Sequence, residues 1–461
     1  MTFLSRASAF ITRKRHAFGL GVFTASLVLF LHLKRSQYKL KRELSLRCRL
    51  FCAEVPKLEL HAHLHGSVRM STLLELCSLK NIPFDPSLLS NESRDLSQCF
   101  KIFDLIHNVV TEANTLRRVV REVLSDFAHN NVCYLELRTT PRPLQDDGTT
   151  IEEYVNIVLE EMVCYEQTTA KKKSKAEVDH PGVPPKRLSL IPRLILSMDR
   201  SKSPEEAMKI ARLAADLYSS GRLNLVGVDL GGNPTKNDFK MFQPALQFAR
   251  DAGLRVSVHC GETPCDVNYN GSGSGSAIYN GSGSGNRNGI DNVLPPVTEK
   301  MTKASKECED VLNFRPDRLG HALYLPTAVL NKLAEDPIPI ECCPTSNVMT
   351  MEFGEGVSEE KEERLKLHPN LPHWLETGYP ISISTDDSGV FSTNPTKELL
   401  LMRTAFDINE WQISGLVWGS IDHVFEPSRR VRSLLARDVS IYIKRLTRKL
   451  VIPTKKKKKR V

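Results

Sequence analysis

Eight short runs rich in aliphatic residues recur along this chain, and a stretch with helical periodicity follows most of them. The runs are Lys57–Leu60, Val132–Arg138, Leu188–Ser197, Leu225–Leu230, Leu254–His259, Arg318–His321, Ile338–Cys342 and Ile381–Thr385. The helical stretches between them include Ser71–Leu79, Leu116–Asn130, Ile151–Glu166, Pro204–Ser220 and Phe239–Ala252. Strands that are apolar almost throughout need cover on both faces, which a parallel sheet flanked by helices provides. Eight such units predict an α/β chain folded as a (β/α)8 TIM barrel with extra helices, whose chemistry gathers at the carboxyl ends of the strands. The 461 residues would suffice for three domains of average size, yet one barrel absorbs most of that length.

The barrel is expected over residues 51–445, between an N-terminal extension (1–50) and a basic tail (446–461). Two interior stretches read as flexible insertions. One lies near 170–185, charged and then proline-rich. The other lies near 266–292 and repeats Tyr-Asn-Gly-Ser-Gly-Ser-Gly at 269–275 and 279–285. A seven-residue unit of this composition is a linker and cannot form a supersecondary repeat.

Charge is concentrated in the appendages. Of the net +9, residues 1–42 contribute nine Lys/Arg with no acid, and Lys455–Arg460 contribute six, so the body between is mildly acidic. The basic balance therefore argues for no specific nucleic-acid partner. The uncharged stretch Ala17–Leu33 admits three readings: a signal anchor touching the membrane, an organelle targeting segment, or an extension with no membrane role. The terminal lysine run fits either a nuclear import signal or a solvated tail. Eleven cysteines, an odd number with no C-x-x-C pair, disfavour a disulfide framework and favour a reducing compartment, the cytosol, for the catalytic body. A monomer is expected.

Polar residues fall where a barrel would put its chemistry. The first run continues into His61-Ala62-His63-Leu64-His65-Gly66, the fifth into His259-Cys260-Gly261-Glu262, the sixth ends in Gly320-His321, and the eighth leads to Asp386-Asp387. Residues two apart on a strand share a face, so His61 and His63 can address one ion. Imidazole nitrogens with one carboxylate suit zinc, and His61, His63, His259 and Asp386 are the expected ligands of a single ion per chain. Such an ion lowers the pKa of a bound water to about 7. Glu262 could then serve as general acid, and His321 could hold or deprotonate the water. Two-metal barrels need a bridging ligand, often a modified lysine. The fourth run ends Val228-Asp229-Leu230-Gly231-Gly232 and offers none. The zinc deaminases built on H-x-E and P-C-x-x-C are excluded by the spacing here.

The set Pro56–Leu64, His259-x-Gly261-Glu262, Arg318–His321 and Ser384–Asp387 resembles the adenosine/AMP deaminase family of metal-dependent hydrolases over roughly residues 55–425. That resemblance implies attack of a zinc-activated water at purine C6 and release of the 6-amino group. It gives Glu262 the task of protonating N1, His321 and Asp386 the management of the water, Asp387 a contact to N7, and Gly232 a backbone contact to the purine. The segment Arg138-Thr139-Thr140-Pro141-Arg142 looks like the adenosine deaminase-like branch, the N6-methyl-AMP deaminases, whose members convert N6-substituted AMP to IMP and an alkylamine. By the same resemblance His63, His65, His107, Thr139, Thr140, Pro141, Arg142 and Asp199 line the nucleotide site. Adenosine deaminases typically carry an aspartate at the position of His65, and its loss removes repulsion towards a substrate phosphate. This branch usually has asparagine there, and Gly231 and Asn233 also depart from its loop around Gly232. Arg138 and Arg142 could instead pair with surface acids. Ordinary deamination of adenosine to inosine is the alternative within enzymes, and a membrane-tethered, non-catalytic binding protein the alternative outside them.

Overall fold

The computed structural model describes residues 46–85, 96–179, 187–265, 298–351 and 358–450. The chain divides into two units, Met1–Cys52 and Ala53–Val461. The described part of the first, residues 46–52, is helical. The second unit holds eight parallel strands: β1 (Lys57–His63), β2 (Val132–Thr139), β3 (Ile191–Asp199), β4 (Leu225–Gly231), β5 (Arg255–Cys260), β6 (Arg318–His321), β7 (Ile340–Cys342) and β8 (Ile381–Ile383). They pair in chain order, β1 to β8. The sheet closes through a parallel bridge between Ala62 and Asp386. Two hydrogen bonds form that seam, His63 N donating to Asp386 O at 2.9 Å and Asp386 N to His61 O at 2.8 Å. This is the (β/α)8 barrel.

Helices cover the outside because each presents one apolar stripe. Ala113–His129 buries Leu116, Val119, Val120, Val123, Leu124 and Phe127, the spacing of a single helical face. Pro204–Ser219 starts at Ser203, whose side chain accepts from Glu206 N in a capping box with Pro204 at the first turn. The helix Ile151–Asp179 corrects one expectation: the first ten residues of the stretch read as an insertion, 170–179, are helical. Ala170-Lys-Lys-Lys-Ser-Lys-Ala-Glu177 favours helix, and the first proline stands only at 181. The second insertion, the N-terminal apolar stretch and the lysine run lie outside the described residues. Among the described residues no helix is long and apolar enough to cross a membrane.

The strands are apolar, yet the barrel interior is ionic. Glu59, Glu136, Arg138, Asp229, Arg318 and Glu341 are all buried. Glu341 on β7 accepts from Arg318 Nε at 2.5 Å, Arg138 Nη2 at 2.8 Å and Ser257 Oγ at 3.0 Å. Arg318 also pairs with Glu136 and lies 3.5 Å over the Phe425 ring. Burial opposes the charged form of Glu341, but Arg138, Arg318 and His61 outweigh it and hold the carboxyl well below its usual range. Isolated charges would be intolerable here; a network in which each is paired and hydrogen-bonded is not.

Candidate metal centre and active site

His61 and His63 project from β1, and His259 from the end of β5. One ligand atom from each lies within 4.8 Å of those of the other two. Asp386, just past β8, brings Oδ1 to 3.3 Å from His63 Nε2 and 3.5 Å from His61 Nε2. The far nitrogens are already engaged: His61 Nδ1 sits 2.7 Å from Glu341 Oε2 and His259 Nδ1 3.0 Å from Asp229 Oδ1. A carboxylate behind each ring fixes its tautomer and leaves Nε2 for an ion. His61 Nε2 is buried without a hydrogen-bond partner, a state that asks for a ligand. Three imidazoles and a carboxylate with this backing fit zinc. Close backbone approach is part of the design: a Cβ on Gly320 would lie 3.0 Å from His61 Cε1, and one on Gly231 3.0 Å from His259 Cε1.

Around these four stand the acid–base groups. His321 Nε2 is 3.8 Å from Glu262 Oε1 and 4.0 Å from Asp386 Oδ2. Burial lowers the His321 pKa to about 4, so the imidazole is neutral. Burial opposes the charged form of Asp386, but the imidazoles of His61, His63 and His321 beside it outweigh that and hold the carboxyl well below its usual range. Glu262 Oε2 and Asp387 Oδ1 are both buried and unpartnered. His321 and Asp386 adopt left-handed backbone, with φ of 59° and 60°. Such geometry is uncommon away from glycine and collects at functional sites.

A second cluster stands at the end of β2. Thr139 Oγ1 lies 2.7 Å from Tyr154 Oη, which lies 3.2 Å from His65 Nε2. The His65 and His107 rings are 5.4 Å apart. Arg142 donates to the carbonyls of His107 (3.2 Å) and Val110 (2.9 Å). Burial lowers both Arg142 and His65, the latter pushed down further by Arg142 and His107. Pro141 is buried and Thr140 exposed. Asp199, ending β3, accepts from Ser201 N at 2.8 Å. Gly232, at φ 87°, faces it, and a Cβ there would lie 2.3 Å from Asp199 Oδ1. Arg138 pairs with acids, but deep in the barrel and not at the surface, because its side chain points inward from β2 to Asp229 and Glu341.

A family model for adenosine deaminase matches residues 56–267 and 302–439. The chain belongs to the adenosine deaminase family. The deaminase is 32% identical over 382 residues to an Arabidopsis thaliana protein named N6-mAMP deaminase, covering 80% of this chain and 92% of that one. It is 30% identical to the zebrafish (Danio rerio) N6-Methyl-AMP deaminase over 388 residues, 82% of this chain and 92% of the relative. A crystal structure of Arabidopsis ADAL complexed with IMP superimposes with a TM-score of 0.64 at 31% identity, over 86% of this chain and 98% of that one.

Sequence reasoning missed the residues behind the deaminase's ligands. Glu341 is the middle residue of a three-residue strand, and Arg138, Asp229 and Arg318 were read as parts of motifs rather than as supports. A usable signal exists: charged residues inside otherwise apolar runs, where an unpaired charge would be too costly to bury. Tyr154 sits on a helix and carried no such signal.

Proposed function

We propose that this deaminase hydrolyses N6-methyl-AMP, and related N6-substituted AMP, to IMP and an alkylamine, with one zinc ion held by His61, His63, His259 and Asp386. Zinc bound there would supply a water acidified to a pKa of about 7. Glu262 protonates purine N1 through the carboxyl whose second oxygen has no partner in the protein. His321 and Asp386 flank the water on the side from which C6 is attacked, and the second unpartnered carboxyl, Asp387, meets N7. Gly232 brings bare backbone against the purine, since a side chain there would strike Asp199. C6–O bond formation, with one water proton taken up on the His321–Asp386 side, and N1 protonation generate a tetrahedral centre. That water proton moves on to N6, cleavage of C6–N6 releases the amine, and the C6 hydroxyl proton restores Glu262.

The monophosphate reading rests on one observation. Arg142 is half-buried against carbonyl oxygens, not a carboxylate, next to His65 and His107. Its guanidinium remains charged, so this end of the site carries positive charge that a phosphate would neutralise. The names of the relatives and the IMP held by the Arabidopsis protein support the same reading.

Purified protein assayed with N6-methyl-AMP, AMP and adenosine, before and after chelation and zinc return, tests the proposal. N6-methyl-AMP is expected to give the highest kcat/KM, and chelation to abolish turnover reversibly. Adenosine as the best substrate overturns the phosphate assignment, and chelator-resistant turnover overturns the metal.

A further inference from the structure

Asn347, on the short helix after β7, stands between two histidines. Its Oδ1 lies 3.3 Å from His321 Nδ1 and its Nδ2 3.0 Å from His368 Nε2. His368 Nδ1 accepts from the backbone N–H groups of Asn370 at 3.1 Å and Leu371 at 3.0 Å. All three side chains are buried. Burial also lowers His368 to about 3, so its ring is neutral and carries a single N–H.

Donor and acceptor roles then follow without further freedom. A neutral imidazole that accepts at Nδ1 carries its proton at Nε2. An Nε2–H cannot face an amide NH2, since two donors would meet. The two ends of a carboxamide have the same shape, so its orientation is decided by its partners. Asn347 therefore turns its oxygen to His368 and its NH2 to His321. Nδ1 of His321 becomes an acceptor, and the ring proton of neutral His321 sits on Nε2, the nitrogen that faces Glu262 and Asp386.

We propose that His368 and Asn347 are positioning residues that lock His321 in its Nε2–H tautomer, so that His321 serves the reaction as a hydrogen-bond donor to the attacking oxygen and not as the base. The proton released when that oxygen bonds to C6 then passes to the Asp386 carboxylate, the other group beside it. Only the identity of the oxygen rests on the deaminase reading; the proton placement rests on the hydrogen bonds alone.

Full-length, metal-loaded protein labelled with 15N-histidine tests this. Long-range 1H–15N correlations, assigned with H321Q and H368Q, are expected to show a bare Nδ1 and a protonated Nε2 on both rings. A proton on His321 Nδ1, or a doubly protonated ring, overturns the proposal. Asn347→Asp presents only acceptors. It is expected to move the His321 proton to Nδ1 and to lower kcat by roughly 100-fold or more, with KM changing far less and metal content unchanged. Wild-type kcat in that variant overturns the proposal, and if the variant does not fold the wild-type spectrum decides. Should the substrate panel fail while the spectrum shows Nε2–H on His321, the functional reading falls and this one stands. Turnover of N6-methyl-AMP with the proton on Nδ1 is the reverse case.

Discussion

The Glu341 carboxylate lies 2.7 Å from His61 Nδ1, so a strand that supplies none of the proposed metal ligands holds one of them in place from behind. The same carboxylate binds Arg138 and Arg318. Glu341→Gln keeps the shape and removes the charge. It is expected to weaken zinc affinity by about 10- to 100-fold, read by competition with a chromophoric chelator. Leaving two buried guanidinium groups short of an anion should also cost about 3–5 kcal/mol of stability, visible as a lower midpoint in denaturant.

Glu262→Gln removes the transferable proton while preserving volume. Turnover should fall by about 10²- to 10⁴-fold, with zinc content and melting temperature close to wild type. Unchanged kcat in the metal-replete variant would remove Glu262 from the reaction.

Gly66 and Asp387 touch across the β1–β8 junction: a Cβ on Gly66 would lie 1.6 Å from Asp387 Oδ1. Gly66→Ala must therefore displace that carboxyl. Burial and the neighbouring Asp386 push the Asp387 carboxyl well above its usual range, so it keeps a proton to donate to N7. Leaving that buried pair unmade costs about 1–3 kcal/mol, so kcat/KM should drop by roughly 5- to 100-fold. Metal content should be retained, because Asp387 is not an expected ligand.

Arg142→Gln separates monophosphate from nucleoside recognition. Its kcat/KM for N6-methyl-AMP is expected to fall by roughly 10- to 100-fold, while any turnover of N6-methyladenosine stays level. Equal loss on both substrates would show that Arg142 supports the His107 and Val110 backbone without meeting the phosphate.

Acid should destabilise the fold through two histidines, the buried His368 and the half-buried His423. Burial lowers His423 from 6.5 to about 4, with Arg318 adding to the effect, and lowers His368 to about 3. Below pH 6.5 the unfolded chain binds protons that the folded chain refuses, so stability present above that value is lost as pH falls towards 4. Denaturant midpoints between pH 7.5 and 4.5 should decline, less steeply in His423→Gln. An unchanged slope in that variant would exclude His423 as a contributor.

Much of this molecule is legible in the sequence because strand ends advertise themselves: a histidine or carboxylate closing an apolar run breaks the pattern. His61, His63, His259, His321 and Asp386 were visible for that reason. Residues whose task is to orient those groups were hidden in two ways. Glu341 and Asp229 sit within runs that read as ordinary strand, where a single acid looks like noise. Tyr154 and His368 lie outside the strands, and only tertiary packing brings them to the site. Strand limits shifted for local reasons. β8 ends at Ile383 because the N–H of Thr385 turns to the Glu59 carboxylate at 3.2 Å, in place of a neighbouring strand.

The hydrogen bonds that join the first strand to the last run through His61, His63 and Asp386. A ribosome-bound chain has emitted its three imidazoles long before the aspartate emerges, so maturation of the centre waits for the final strand to dock. In the proposed centre catalytic competence would come late in biosynthesis, and an interrupted translation product ending before Ile381 would have an open sheet and an incomplete set of the proposed donors.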